Sequence, residues 1–116
     1  MSNQELTEKR CRACEGTEEP LQKDQISGYL AQAQGWTVSH DNTLLFKEYK
    51  MKSFMDAVAF IQQLAAVAEA EGHHPDLHLT NYKELRIELS THAIGGLSEN
   101  DFIIAAKINE IPSAGK

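Results

Sequence analysis

Apolar residues recur along this chain with two alternating spacings, one typical of helices and one typical of strands. Between residues 21 and 35 they fall three and one positions apart, which predicts one stripe of a short helix. Residues 36–40 and 44–51 instead alternate apolar and polar side chains, as half-buried strands do. Asp41 and Asn42 lie between them and are favoured in tight turns. The first half of the chain therefore predicts a helix followed by a β-hairpin.

The longest predicted helix follows this hairpin. Ser53 and Asp56 have the spacing of a capping box, and Gly72 is placed to end the helix in a left-handed conformation. An unusually wide apolar stripe predicts that the helix packs on a sheet. The residues expected on this stripe are Phe54, Val58, Ile61, Ala65 and Ala68, flanked by Phe60, Leu64 and Val67.

A second hairpin and a last helix complete the pattern. Residues 77–80 and 85–90 alternate on either side of a turn at 81–83, which predicts two antiparallel strands. Ser98 and Asp101 repeat the capping-box spacing, and the helix that they open ends before Pro112.

The predicted order is α-β-β-α-β-β-α. It predicts an α+β fold in which one four-stranded antiparallel sheet carries three helices on one face. We expect one domain over residues 21–112 and a short tail over 113–116. Residues 1–20 are polar, rich in Glu and without apolar periodicity, so we expect a flexible N-terminal extension there. So small a sheet leaves an open edge and a bare face, which favours self-association.

Composition and charge disfavour several classes of function. The net charge of −6 disfavours binding to a nucleic-acid backbone. No stretch approaches the roughly 20 apolar residues of a membrane helix, and the polar start is unlike a signal peptide, so we expect a cytoplasmic protein.

Cys11 and Cys14 form a CxxC sequence, which serves as a redox pair or as half of a zinc site. Neither context is visible around them, and we expect two reduced thiols.

Histidines are the candidate catalytic residues. An imidazole with an ordinary pKa of about 6.5 can donate or accept a proton near neutral pH. His73 and His74 follow a predicted helix end, and Pro75 restricts the backbone at and before it, so the pair is held in place. His92 follows one hairpin later and is expected near the pair. In a regular strand, however, its side chain would point away from the helices.

Each candidate also has a purely structural explanation. The histidines could be exposed residues at a linker and at a strand end, and Glu69 a solvated helix residue. Asp101 occupies the third helical position of its capping box, and Trp36 suits a core position. His73, His78 and His92 offer enough nitrogens for a zinc ion. Neighbouring residues in an extended chain point in opposite directions, however, and the chain has no HExxH pair, so we expect no metal.

The sequence resembles the pterin-4a-carbinolamine dehydratases in three linked segments. These are Glu69-x-x-x-His73-His74-Pro75, then Ser90-Thr91-His92, then Gly96-Leu97-Ser98-Glu99-x-Asp101. The similarity runs from about residue 21 to residue 111 and includes Gly35-Trp36. It implies four antiparallel strands with three helices on one face, in agreement with the order derived above. It also implies a homodimer or homotetramer and no cofactor.

The reaction implied by the resemblance is the loss of water from a 4a-hydroxy-tetrahydropterin, which gives quinonoid dihydropterin and recycles the pterin of aromatic amino acid hydroxylases. The resemblance places His73, His74 and His92 in the catalytic site. It assigns His73 and His92 to proton transfer and His74 mainly to holding the substrate. The residues that it places at the bound pterin are Glu69, Pro75, Trp36 and Asp101.

Some positions depart from the family pattern. Gly72 stands where many animal members have Asp, Leu77 where they have Trp, and Asn100 where the residue is often basic. These changes could alter how a pterin is held without removing the histidines. Two alternatives to the dehydratase function stay open. One is a non-catalytic pterin-binding or coactivator module of the same fold, and the other is a dehydratase-like protein of molybdenum cofactor metabolism.

Overall fold

A computed structural model describes residues 6–9 and 19–112 of the chain. The element order is α-β-β-α-β-β-α, as the hydrophobic pattern predicted. Its members are α1 (Lys23–Leu30), β1 (Thr37–Val38), β2 (Leu45–Lys50), α2 (Phe54–Glu71), β3 (Asp76–Thr80), β4 (Glu84–Leu89) and α3 (Glu99–Asn109), with two short 3₁₀ turns at Leu6–Glu8 and His92–Ile94. No helix in the described ranges is both long and apolar enough to cross a bilayer.

The four strands form one antiparallel sheet in the order β1-β2-β4-β3. Alternation along β2 and β4 gives the sheet one apolar face, because successive side chains point to opposite sides. The residues buried on that face are Leu45, Tyr49, Leu85, Ile87 and Leu89. The opposite face is open and carries charged side chains, among them Glu48 and Arg86. The predicted α+β fold, with three helices on one side of the sheet, is confirmed.

Helix α2 begins and ends as predicted, but the side that it buries is only partly the predicted one. The Ser53 hydroxyl accepts a hydrogen bond from the Asp56 backbone N–H at 3.1 Å, and Gly72 ends the helix with φ of +67°. The buried residues are Ala57, Phe60, Leu64 and Ala68. Of the predicted residues, Phe60, Leu64 and Ala68 are buried as expected, whereas the prediction is wrong for Phe54 and Ala65, which are exposed. Because α2 is apolar around most of its circumference, periodicity alone does not select the side that packs.

Residues 6–9 correct part of the predicted flexible extension. Leu6 is 1% exposed and belongs to the core, and its backbone N–H donates to Gln32 Oε1 at 3.1 Å. Lys9 makes a salt bridge to Glu99 at the start of α3. A single buried leucine gives no periodic signal, which is why the sequence did not reveal this docking. Cys11, Cys14 and the tail 113–116 lie outside the described residues.

Candidate active site

His73 lies just after α2, where the left-handed Gly72 turns the chain back across the helix end. Its backbone N–H donates to Ala68 O at 3.2 Å, which anchors the residue to the last turn of the helix. Its ring nitrogen Nε2 lies 2.6 Å from Asp101 Oδ1, and the side chain is 14% exposed. The end of α2 at Gly72 therefore places the His73 imidazole next to a carboxylate on α3.

Asp101 is fully buried and accepts hydrogen bonds at both carboxylate oxygens. Its Oδ2 accepts from the Thr91 hydroxyl at 2.8 Å and from the Ser98 backbone N–H at 3.0 Å, while Oδ1 faces His73. The Thr91 and Ser98 hydroxyl oxygens lie 2.8 Å apart. A buried carboxylate without partners would be strongly destabilising, and these hydrogen bonds offset that desolvation cost. The capping position predicted for Asp101 is therefore occupied, and the same side chain also orients His73.

His74 makes the opposite kind of contact. Its Nε2 lies 2.9 Å from Glu69 Oε1, and the two side chains are 61% and 81% exposed. Glu69 belongs to the last turn of α2, so the pair lies on the solvent side of the helix end. The two neighbouring histidines thus have one buried and one solvent-facing carboxylate partner.

His92 lies at the start of the 3₁₀ turn that follows β4, and its side chain is exposed. Strand β4 ends at Leu89, and Thr91 then pairs with Gly96 in an isolated bridge. The regular strand therefore stops before His92. Thr91, its neighbour in sequence, is the residue that contacts Asp101. The backbone of His92 is therefore one residue away from the side chain that contacts Asp101.

Trp36 does not join His73, Asp101, Thr91 and Ser98. It is 5% exposed, and its indole N–H donates to Asn109 Oδ1 at 3.0 Å. Asn109 ends α3, eight residues beyond Asp101, which corresponds to about 12 Å along the helix. Trp36 therefore occupies a core position near the far end of α3. Pro75 is half-buried and leads from the histidine pair into β3.

The histidine–carboxylate geometry suits proton transfer. A carboxylate that accepts from Nε2–H leaves Nδ1 of a neutral imidazole as an acceptor, so the partner selects the tautomer of His73. When Nδ1 takes a proton, the same carboxylate stabilises the imidazolium, as in hydrolase triads. Among the described residues, no buried side-chain nitrogen or oxygen lacks a hydrogen-bond partner. The buried polar side chains that surround His73 therefore all have hydrogen-bond partners.

Thr91 and Ser98 are the residues that reasoning from sequence missed. Their signals were present, since Thr91 precedes a candidate histidine and Ser98 opens a capping box. Neither signal says that the two hydroxyls meet each other and the carboxylate. That contact depends on how the end of β4 packs on the start of α3.

A third histidine pair lies on the open face of the sheet. His78 Nε2 is 3.2 Å from Glu88 Oε1, and Arg86 Nε donates to Glu88 Oε2 at 2.6 Å. The hydrogen bond from Arg86 is the largest cause that lowers the pKa of Glu88, and His78 adds to it. A concavity of about 380 Å³ on this face contains none of the predicted site residues. Its lining comprises Glu48, Tyr49, Lys50, His78, Thr80, Glu84, Leu85 and Arg86.

No metal centre is formed by the described parts of the chain. In residues 6–9 and 19–112, no three His, Cys, Asp or Glu side chains converge as metal ligands do. His73 faces Asp101 and His78 faces Glu88, on different elements.

Comparison with known proteins places this geometry in a family. The family model for pterin 4 alpha carbinolamine dehydratase matches residues 19–111, which include every residue of the cluster. The chain belongs to this family. A relative in Arabidopsis thaliana, pterin-4-alpha-carbinolamine dehydratase 2, mitochondrial, is 44% identical over 110 residues. That match covers 92% of this chain and 59% of the Arabidopsis protein.

Other members of the family match over nearly their whole length. A relative in Halorhodospira halophila, assigned to the same dehydratase, is 39% identical over 91% of this chain and 96% of its own. A crystal structure from Brucella melitensis, described as a transcriptional coactivator/pterin dehydratase, superposes with a TM-score of 0.72 at 28% identity. It covers 78% of this chain and 96% of its own. A pterin dehydratase-like RuBisCO assembly factor, 24% identical with a TM-score of 0.55, shares the fold.

Proposed function

We propose that this protein removes water from a 4a-hydroxy-tetrahydropterin and releases a quinonoid dihydropterin. The observation that carries the proposal is the His73–Asp101 pair, in which a buried carboxylate lies 2.6 Å from the imidazole. His74 is the next residue in sequence, and His92 follows Thr91, which contacts the same carboxylate. Membership of the dehydratase family and the names of the relatives support the same activity.

The chemistry requires one proton to be removed and one to be delivered. The hydroxyl on C4a leaves as water once it is protonated, and a ring nitrogen supplies electrons as it loses its proton. In the proposed mechanism His73 and His92 carry these two protons. His73 suits a base, because Asp101 stabilises the imidazolium that forms. His92 is exposed and suits exchange with solvent after each turnover.

His74 takes the binding role in this proposal. Its ring is exposed, and its Nε2 lies 2.9 Å from the carboxylate of Glu69, which is also exposed. Pro75 limits the backbone freedom of His74, so less entropy is lost when a pterin binds. Trp36 supports the fold from the core and makes no contact with the pterin in this scheme.

The test is the rate at which freshly generated 4a-hydroxy-tetrahydropterin loses water. We compare wild type with His73→Ala and His92→Ala, each with and without a chelator. Exposed His40 lies beside the β1–β2 turn, and His40→Ala is the matched control. The proposal expects strong acceleration by wild type and by His40→Ala, insensitive to chelator, and a loss of about 100-fold or more in both site variants.

Two results would refute parts of the proposal. No acceleration by folded wild type would refute dehydration of this substrate and direct attention to another pterin, including one of molybdenum cofactor metabolism. Acceleration that disappears with chelator would refute the metal-free mechanism.

A coactivator or binding module is the second candidate, and one surface favours it. Two adjacent large apolar residues in the first turn of α2 are exposed, Phe54 by 49% and Met55 by 70%, and exposed apolar residues that adjoin one another are typical of contact surfaces. A homodimer or homotetramer would cover this surface, and so would a protein partner. Substitution of the histidines would leave partner binding through α2 intact, whereas dehydration would be lost.

The cellular setting belongs to the proposal as well. A protein with this activity would recycle the cofactor of an aromatic amino acid hydroxylase. We propose a cytoplasmic location, although the name of the Arabidopsis relative assigns that protein to mitochondria. Fractionation of cells that express the full chain distinguishes the two compartments.

A further inference from the structure

Thr91 occupies a junction between the two histidines proposed for proton transfer. It directly precedes His92 in the sequence, and its side chain contacts the partner of His73. The residue is 4% exposed although it is polar. Its hydroxyl oxygen lies 2.8 Å from Asp101 Oδ2 and 2.8 Å from Ser98 Oγ.

The directions of these hydrogen bonds follow from the carboxylate. Asp101 has no hydrogen to give, so the single hydroxyl hydrogen of Thr91 is donated to Oδ2. The short contact with Ser98 then requires the Ser98 hydroxyl to donate to Thr91. The result is a directed chain from Ser98 through Thr91 to Asp101. Hydrogen bonds in such chains polarise and strengthen one another in a buried site.

This chain orients the carboxylate that selects the tautomer of His73. Oδ2 of Asp101 is held by two donors, the Thr91 hydroxyl and the Ser98 N–H, so Oδ1 is left facing the imidazole. Oδ1 can only accept, and His73 must therefore present Nε2–H to it and keep Nδ1 for the substrate. Without the Thr91 hydroxyl, only the Ser98 N–H remains on Oδ2, and the orientation of the carboxylate towards His73 is fixed less firmly.

We infer that Thr91 is a positioning residue, whose hydroxyl orients Asp101 so that His73 acts through Nδ1. It touches no reacting atom and acts through Asp101. The expected effect of Thr91 on the rate of dehydration rests on the proposed function. Its expected effect on the tautomer of His73 does not.

The backbone of Thr91 holds His92 independently of the hydroxyl. The Thr91 N–H donates to Gly96 O at 2.9 Å, and the Thr91 carbonyl accepts from the Ile94 N–H at 3.2 Å. Gly96 in turn packs against Pro20, so closely that an added Cβ would lie 2.8 Å from the proline Cβ. A change of side chain at Thr91 therefore leaves the turn that carries His92 in place.

The experiment compares Thr91→Val, which keeps the shape without the hydroxyl, with Thr91→Ser, which keeps the hydroxyl. For Thr91→Val we expect kcat to fall about tenfold to a hundredfold, with KM changed less than about threefold. Thr91→Ser should restore kcat to within about threefold of wild type. Equal losses in the two variants would overturn the inference, since shape rather than the hydroxyl would then be responsible.

Imidazole ¹⁵N NMR gives a readout that needs no substrate. In wild type, His73 should show the tautomer protonated at Nε2. In Thr91→Val that tautomer should lose population or its Nε2–H should exchange faster, while His74 and His92 keep their signals. An unchanged His73 spectrum in Thr91→Val would overturn the inference whether or not kcat falls. If wild type shows no dehydratase activity, the proposed function fails, and this spectrum still decides the role of Thr91.

Ile108→Val controls for a general loss of stability. Ile108 is fully buried on α3 near its far end, away from Asp101, and the change removes one methylene from the core. Its melting temperature should fall while kcat and the His73 spectrum stay as in wild type. If this variant lowers kcat as far as Thr91→Val does, instability explains both losses and the inference is wrong.

Discussion

His73 and His74 are neighbours in sequence, yet the structure gives them opposite surroundings. The His73 and Asp101 side chains are 14% and 0% exposed, whereas those of His74 and Glu69 are 61% and 81% exposed. Their ring-to-carboxylate distances are similar, 2.6 and 2.9 Å. The same pair of chemical groups should therefore have different consequences, because water screens a charge pair at the surface and leaves a buried pair strong.

The comparison explains how two adjacent residues can divide one task. A buried pair holds one tautomer and one ring orientation, as a base that acts in every turnover requires. An exposed pair can rearrange as a ligand arrives, as a binding residue requires. The left-handed Gly72 and the stiff Pro75 restrict the backbone on either side of the two histidines.

The largest effect should come from Asp101→Asn, which keeps the size of the side chain and removes its charge. The amide can still accept from Thr91 and Ser98 if its nitrogen faces His73. That nitrogen donates, so the proton of His73 must move from Nε2 to Nδ1. We expect kcat to fall about 10²- to 10⁴-fold in the dehydration assay, as in enzymes where the wrong tautomer is imposed.

Glu69→Gln is the control for this change, because it removes the charge of the exposed pair. We expect kcat within about threefold of wild type, since hydrogen bonds between exposed groups contribute little. Similar losses of kcat in the two variants would contradict the distinction between a buried and an exposed pair.

Much of this site could be predicted from sequence, because its signals are local. The order of elements, the cap at Ser53, the end at Gly72 and the cap position of Asp101 all depend on residues within a few positions of one another. His73 and Asp101 are 28 residues apart, and no local pattern says that they meet.

Three features escaped prediction for the same physical reason. The docking of Leu6, the choice of the Phe60 side of α2 over the Phe54 side, and the hydrogen bond that pairs the core residue Trp36 with Asn109 are all decided by long-range packing. Each of these residues could satisfy its local pattern in more than one way. Packing against the rest of the core selects one of them, and only the folded chain shows which.

A smaller effect is expected from His74→Ala. Loss of a binding contact weakens the ground state and the transition state alike, which raises KM and leaves kcat nearly unchanged. We expect KM to rise about fivefold to tenfold in steady-state dehydration assays, or about 1 kcal/mol. A fall in kcat comparable to that of Asp101→Asn would show that His74 takes part in proton transfer.

The smallest effect should come from the third pair, His78 and Glu88, with side chains 51% and 20% exposed. Its carboxylate also accepts from Arg86, which lowers the pKa of Glu88 from its ordinary 4.5. A lowered folded-state pKa means that the pair stabilises the fold above pH 4.5, and that this contribution disappears as the pH falls through the lowered value.

Glu88→Gln should therefore lower the free energy of unfolding by about 1 kcal/mol at pH 7. Urea denaturation at stepwise lower pH should show the difference shrinking below 4.5, while Glu84→Gln on the same face serves as control. A difference that stays constant with pH would show that the charge of Glu88 contributes nothing, and that even a partly buried pair on this sheet behaves like the exposed one.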